Sequence, residues 1–152
     1  TIHRLTMNSE VLAGNLVGAP TRRQVDVYIP YGHDGRGLPL LVDVVGFTAG
    51  GPIHTNWKNF GENVPERLDR LIGTGALPPV VVAFPDCFTR LGGNQYVNSV
   101  AMGRWDDFLR DEVVPAFYDR NEDGLPLAWI ARMKWASNSL GRIVRCRKRS
   151  RT

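Results

Sequence analysis

Two near-continuous apolar runs stand out along a chain in which hydrophobic and polar positions are otherwise mixed. They are LPLLVDVVGF at 38–47 and LPPVVVAFPD at 77–86. Runs of this length without alternation are typical of strands that are buried on both faces of a sheet. We therefore expect Leu40–Val45 and Val80–Phe84 to form neighbouring buried strands.

Two further segments space their apolar residues as amphipathic helices do. In the segment at 62–73 the apolar positions fall on one helical face, and Gly73 and Gly75 act as stop signals. The segment at 103–118 shows the same spacing, carried by Trp105, Phe108, Leu109, Val113 and Phe117. We predict a helix over each segment.

The first 30 residues indicate a hairpin. VLAGNLVG at 11–18 and RRQVDVYIP at 22–30 are rich in strand-forming residues, and the residues between them supply Gly and Pro. A further strand is expected at 128–136. A hairpin followed by alternating buried strands and helices indicates an α/β fold with a largely parallel sheet.

Long, mostly neutral loops follow the two buried strands. The first, GFTAGGPIHTNW, spans 46–57, and the second, PDCFTRLGGNQYVNS, spans 85–99. Connections in compact domains usually run to about 4–6 residues, and longer ones are often functional. In open α/β sheets, ligands bind beyond the carboxyl ends of the strands. We expect both loops to face a substrate.

Composition narrows the range of functions. The 152 residues are 43% hydrophobic and 22% charged, which fits one globular domain. No apolar stretch reaches about 18 residues, so no membrane span is predicted, and the lack of a visible signal peptide favours the cytoplasm. Two cysteines and three scattered histidines, His3, His33 and His54, lack ligand spacing. We expect neither a metal nor another cofactor.

The net charge of +4 conceals a division of the chain. Residues 1–123 hold 11 Lys and Arg and all 15 Asp and Glu, a formal charge of −4, whereas residues 124–152 hold 8 Lys and Arg and no acid. A basic segment of this kind can bind a polyanion or nucleic acid. The alternative, which we favour, is that 124–152 is a truncated or frameshifted end of a domain at 1–123, because the charge change coincides with loss of the strand pattern.

An ordered pair of motifs follows the second apolar run. Tyr96-x-Asn98-Ser99 comes first, and the helical pattern of Trp105–Pro115 comes after it. With the 62–73 segment and Gly46-Phe47, these motifs resemble the esterase family of α/β-hydrolases that includes esterase-D-like, feruloyl-esterase-like and antigen-85-like members. The resemblance covers about residues 10–120. It implies the N-terminal part of an α/β-hydrolase fold, with an incomplete sheet, and a small-molecule ester as substrate.

The resemblance also implies roles for particular residues. Family chemistry is acyl transfer through a serine, with an oxyanion hole that takes one backbone N–H from the loop after the third strand. Phe47 is the first choice for that N–H, because Gly46 frees the backbone to turn, and Thr48 is the second. Tyr96 and Asn98 would shape the substrate pocket. Asn98 could equally cap a turn, since Asn side chains bond their own backbone.

The nucleophile is the weakest part of the pattern. Ser139 lies in Ser137-Asn138-Ser139-Leu140-Gly141, which keeps the central Ser and the final Gly of a nucleophile elbow but replaces its first Gly. No His and no acid follow Ser139, whereas the family order is Ser, acid, His. Sequence reasoning therefore predicts the N-terminal part of a serine esterase that is inactive alone. The alternative is a non-catalytic domain with a basic tail.

Overall fold

The computed structural model of the chain describes residues 1–118 and 130–131. Seven strands are present in the described part: β1 Ile2–Asn8, β2 Arg22–Tyr28, β3 Leu40–Val42, β4 Val81–Pro85, β5 Asn98–Ser99, β6 Gly103–Arg104 and β7 Ile130–Ala131. The α-helices are α1 Pro52–Thr55, α2 Val64–Gly73, α3 Trp105–Asp107 and α4 Pro115–Tyr118, with a π-helix at Phe108–Val113 between the last two. No helix of this described part is long and apolar enough to cross a membrane.

Five strands form one mixed sheet in the order β1-β2-β4-β3-β7. β3 and β4 are parallel neighbours, with Leu40 opposite Val81, and every residue of β4 is buried. The predicted pairing of these two strands is confirmed, although β3 ends at Val42 rather than Val45. β7 extends the parallel part of the sheet next to β3, within the range expected for a further strand.

The first strand of the predicted hairpin was placed wrongly. β2 pairs in antiparallel fashion with β1, which precedes the segment at 11–18. That segment forms turns instead. The Asn15 side chain donates to the carbonyls of Leu12 and Ala19 and accepts from the N–H of Ala19, and Gly14 and Gly18 have positive φ. Side-chain bonds to the local backbone and left-handed glycines outweigh the apolar content here.

Helix α2 confirms the helix predicted at 62–73 and begins with a capping box. The Asn63 side chain accepts from the N–H of Glu66, and the Glu66 carboxylate accepts from the N–H of Asn63. This reciprocal pair satisfies two of the N–H groups that a helix start leaves open. The predicted helix at 103–118 begins at Trp105, because Gly103–Arg104 pairs with β5, and it widens into the π-helix.

Side chains cover both faces of the sheet. On one face Val25 and Val27 pack with Trp105, Phe108 and Val113, all of them buried. Trp105 and Phe108 meet edge to face, with ring centres 5.8 Å apart. A smaller cluster on the other face joins α2 to the sheet through Leu68, Tyr28, Val82 and Phe84. A mixed sheet with helices on both sides agrees with the predicted α/β class. The sheet is not largely parallel as expected, because among its described strand pairs β1–β2 and β2–β4 are antiparallel and only β4–β3 and β3–β7 are parallel.

Candidate functional site

The two long loops predicted to face a substrate meet at one edge of the sheet. Since β3 and β4 are parallel, their carboxyl ends lie at the same edge, and one loop leaves each strand there. The Gly93 N–H donates to the carbonyl of Phe47 at 2.8 Å. The Tyr96 hydroxyl donates to the carbonyl of Val45 at 2.6 Å. The loops therefore support each other where the candidate oxyanion residues lie.

Hydrogen bonds fix the direction of both candidate oxyanion amides. The carbonyl of Gly46 accepts from the N–H of Ala49 at 3.1 Å, and the carbonyl of Phe47 accepts from Gly93. In a planar trans peptide the N–H points opposite to the C=O. The N–H of Phe47 therefore points away from Ala49, and that of Thr48 points away from Gly93. Neither N–H donates to a protein acceptor among the residues that the structure describes.

Close backbone approaches in these loops require glycine at two positions. A Cβ on Gly93 would lie 2.1 Å from the Phe47 carbonyl oxygen, and a Cβ on Gly51 would lie 2.6 Å from that of Pro85. Gly46, which sequence reasoning selected for its freedom, has no positive φ and no atom within 4 Å of such a Cβ. The glycines that hold the site together are thus Gly51 and Gly93.

Tyr96 is part of the contact between the loop after β3 and the loop after β4. Its φ of 56° is left-handed, and its N–H donates to Asn94 Oδ1 at 2.7 Å. Asn94 in turn donates to the carbonyl of Cys87, so it has the turn role that Asn favours. Burial raises the pKa of the Tyr96 hydroxyl, which stays a neutral donor to Val45. Tyr96 connects the loop after β4 to the loop after β3.

The Asn98 side chain bonds to Asp107, the last residue of α3. Its amide donates to Asp107 Oδ1 at 2.9 Å, and its oxygen accepts from the Asp107 N–H at 3.2 Å. The bond from Asn98, together with Arg104 and Arg110, holds the pKa of Asp107 below its ordinary value. Asn98 also lines a cavity of about 300 Å³ with Asn15 and Arg104. A substrate contact at Asn98 stays a prediction.

A buried arginine supports the loop after β4 from within the core. Arg23 of β2 donates to the carbonyl of Phe88 at 2.7 Å and stacks over Trp105, with its guanidinium carbon 4.8 Å from the ring centre. The Nε and Nη2 atoms of Arg23 have no hydrogen-bond partner in the described part of the chain. Burial lowers the pKa of this guanidinium. Sequence reasoning took β2 only as a strand and did not anticipate this contact.

A carboxylate–imidazole pair at the same edge was also missed. Asp43 follows β3, and its Oδ2 is hydrogen-bonded to Nδ1 of His54 on α1. Sequence reasoning set His54 aside because it precedes Ser139. An acid at the end of a buried strand, followed by a His after a Gly-Gly turn, was the available signal, but spacing alone could not show that the loop folds back.

Sequence reasoning also considered cysteine chemistry, metal binding and a serine nucleophile. Cys87 is buried, and burial raises the pKa of its thiol, so it has little nucleophilic character. Residues 1–118 and 130–131 contain no group of three or more His, Cys, Asp or Glu side chains that could hold a metal ion. Ser139 and most of the segment 124–152 lie outside the described residues, so the nucleophile and the basic segment stay predictions.

Comparison with known proteins identifies a structural relative. A ferulic acid esterase superimposes with a TM-score of 0.64 at 17% sequence identity, over 87% of this chain and 49% of the esterase chain. No protein-family model matches the chain, and no match is found among curated proteins. The chain therefore spans about half the length of that esterase and shares an esterase-like fold with it.

Proposed function

We propose that the chain carries the oxyanion loop and part of the substrate pocket of a carboxylic ester hydrolase with an α/β-hydrolase fold. The observation that carries this proposal is the fixed direction of the Phe47 and Thr48 amides at the carboxyl end of β3. The fold likeness to a ferulic acid esterase and the sequence resemblance support it. Because the chain spans about half of that esterase, the proposal concerns the activity of the whole protein.

The chemistry requires donors placed before the reaction begins. Attack on an ester carbonyl moves negative charge onto its oxygen, and donors that need no reorganisation stabilise that charge most. Phe47 supplies the first N–H in this proposal and Thr48 is the second choice. Ser139 is the proposed nucleophile, and the N–H of the following residue would complete the hole, as in other α/β-hydrolases.

Apolar side chains around the two loops favour an ester with an apolar part. Phe47, Phe88 and Leu91 are 52%, 42% and 66% exposed. A Cβ on Gly92 would lie 3.9 Å from the Phe47 ring, and one on Gly50 would lie 3.4 Å from the Cβ of Phe88. Covering exposed apolar groups at the edge of a site with a ligand removes them from water, which lowers the free energy and favours binding. We propose a small-molecule ester rather than a polyanion as the ligand.

Proline substitution tests the oxyanion role, because it deletes one N–H. Phe47→Pro and Thr48→Pro are compared with Phe47→Ala and Thr48→Ala, which keep the N–H, for hydrolysis of p-nitrophenyl acetate. Loss of an oxyanion donor should lower kcat about 10²–10³-fold in one proline variant. Thermal melting checks that each variant is folded. An oxyanion hole without the other catalytic groups can still supply about 10³–10⁴-fold over water. The oxyanion role therefore fails if the wild-type chain does not exceed the buffer rate or if both proline variants match their alanine controls.

A fluorophosphonate probe tests Ser139 separately. A serine with an activated hydroxyl is labelled covalently, whereas an ordinary serine is not. Labelling of the wild-type chain that disappears in Ser139→Ala assigns the nucleophile. Labelling that persists in Ser139→Ala assigns it to another serine, and Ser99, in the loop after β4, would be the next to substitute.

A further inference from the structure

A cleft of about 460 Å³ opens at the edge of the sheet opposite the two long loops. Leu40 begins β3 and Val81 begins β4, so the amino ends of these parallel strands line the cleft. We propose that this cleft binds an uncharged, apolar small molecule. The cleft is separate from the proposed ester site, which lies at the carboxyl ends of the same strands.

The interior of the cleft is formed by aliphatic and aromatic side chains. The sheet supplies Leu5, Val27, Leu40 and Val81, and α4, which packs on this face of the sheet, supplies Phe117. Val27, Leu40 and Val81 are buried, whereas Leu5 and Phe117 are partly buried. These side chains neither donate nor accept hydrogen bonds. The interior therefore favours a ligand whose body is apolar.

The charged side chains on the lining are paired with each other at the exposed rim of the cleft. Arg36 Nε lies 3.6 Å from Asp34 Oδ2, and the Arg36 N–H donates to Asp34 Oδ1 at 2.9 Å. The two side chains are 75% and 70% exposed, so their charges stay in water. Among the described lining residues the remaining polar side chain is that of His3, which is also exposed. An ionised ligand would have to compete with an existing partner for Arg36 or Asp34, which favours an uncharged ligand.

The turn before β3 closes one side of the cleft. Gly35 has a left-handed φ of 88°, and a Cβ at this position would lie 3.5 Å from Val81 Cγ2 and 3.6 Å from Ile29 Cδ1. The Gly35 backbone therefore packs directly on side chains of the lining. The Leu38 N–H donates to the Gly35 carbonyl at 3.4 Å and holds the turn in this position. A wall that is already formed loses little conformational entropy when a ligand binds.

The volume of the cleft lies in the range of small-molecule sites. Such sites occupy about 300–1,000 Å³ and are lined mostly by apolar side chains. Apolar side chains around a cleft have few contact partners on one side, whereas protein interiors are close-packed. A ligand of matching shape supplies those contacts and removes apolar surface from water. Volume, lining and rim thus favour the same chemical class, an uncharged apolar molecule.

Phenylnaphthylamine is a suitable probe, because it is uncharged and apolar and fluoresces brightly once it leaves water. We expect saturable binding of one probe molecule per wild-type chain. Anilinonaphthalene sulfonate, an anion of similar shape, should bind more weakly, because Asp34 already offsets the charge of Arg36. Tighter binding of the anion that is lost in Arg36→Gln would overturn the uncharged class of ligand.

Larger side chains on the lining should block the probe. Ala116→Phe places a ring in the cleft from α4, and Leu38→Phe does so from the turn before β3. We expect the affinity for phenylnaphthylamine to fall about tenfold in each variant, a loss of about 1.4 kcal/mol. Ala76→Phe, at an exposed residue after α2, is the matched control and should bind as the wild type does. Circular dichroism and urea denaturation check that each variant is folded.

Three outcomes would overturn the site. Wild-type affinity in either filling variant that folds, or more than one probe molecule per chain, would show that the probe reports other exposed apolar side chains. A wild-type chain that binds no probe would show that another part of the chain covers the cleft. A wild-type dimer that Ala116→Phe converts to a monomer in analytical ultracentrifugation would assign the cleft to a second copy of the chain.

Discussion

The hydroxyl of Tyr96 donates to the carbonyl of Val45 across 51 residues of sequence. Tyr96→Phe removes this bond and leaves the ring in place. Loss of one hydrogen bond should lower the free energy of unfolding by about 1 kcal/mol, and separation of the loops should lower kcat for an ester. Urea denaturation and ester kinetics check the two effects. Tyr31→Phe, at a 91% exposed side chain, is the control and should change neither quantity.

A methyl group at Gly93 should break the contact between the two loops. Its Cβ would lie 2.1 Å from the Phe47 oxygen, so the backbones must separate, at a cost of about 3 kcal/mol, the upper range for overpacking. Gly46→Ala, with open space around the new methyl group, should stay within about 0.5 kcal/mol of the wild type. Equal stability of the two variants in urea would contradict the close packing of Gly93 against Phe47.

Removing the Arg23 side-chain bond should loosen the loop after β4. Arg23→Met keeps the length of the side chain but leaves the Phe88 carbonyl without its donor and Trp105 without its cation. A destabilisation of about 1–3 kcal/mol is expected, as for other buried groups that lose a partner. Arg22→Met, on the exposed side of β2, is the matched control. A gain in stability would show that burying the unpartnered guanidinium nitrogens costs more than these contacts contribute.

Acid should reveal the link between Asn98 and Asp107. The pKa of Asp107 is lowered in the folded state, so its ionised carboxylate stabilises the fold above the ordinary carboxyl range near pH 4. This contribution is lost as the pH falls through the folded-state pKa. Asn98→Ala removes the hydrogen bond that does most to lower the pKa of Asp107. The stability difference between wild type and Asn98→Ala should be full at pH 7 and shrink below about pH 4. Gln95→Ala, at an exposed neighbour, should show no such dependence, and a pH-independent difference for Asn98→Ala would exclude this link.

Continuous apolar runs and amphipathic spacing could be predicted from the sequence, because their signals are local. β3, β4 and α2 are of this kind: a buried strand needs apolar side chains on both faces, and α2 was predicted from its single apolar face and the glycines near its end. The segment at 11–18 misled the prediction because its apolar residues lie in turns set by Asn15.

The geometry of the site depends on contacts between distant residues, which no spacing rule gives. Sequence reasoning placed both loops at the carboxyl edge correctly, since strand direction determines that edge. It could not show that Gly93 rather than Gly46 is sterically required, that Tyr96 bonds Val45, or that Asp43 meets His54. Each of these depends on how the backbone of one loop folds against another.

The position of β4 in the sheet sets an order on folding during synthesis. β2 pairs with β4 on one side and β3 pairs with it on the other, so neither strand can pair with β4 until residue 85 has left the ribosome. Until then the nascent chain has only the local β1–β2 hairpin, which is marginal by itself. Non-local pairing of this kind is slow to form and exposes apolar strands meanwhile. The nascent chain therefore depends most on chaperones in the interval after β3 has left the ribosome and before β4 has done so.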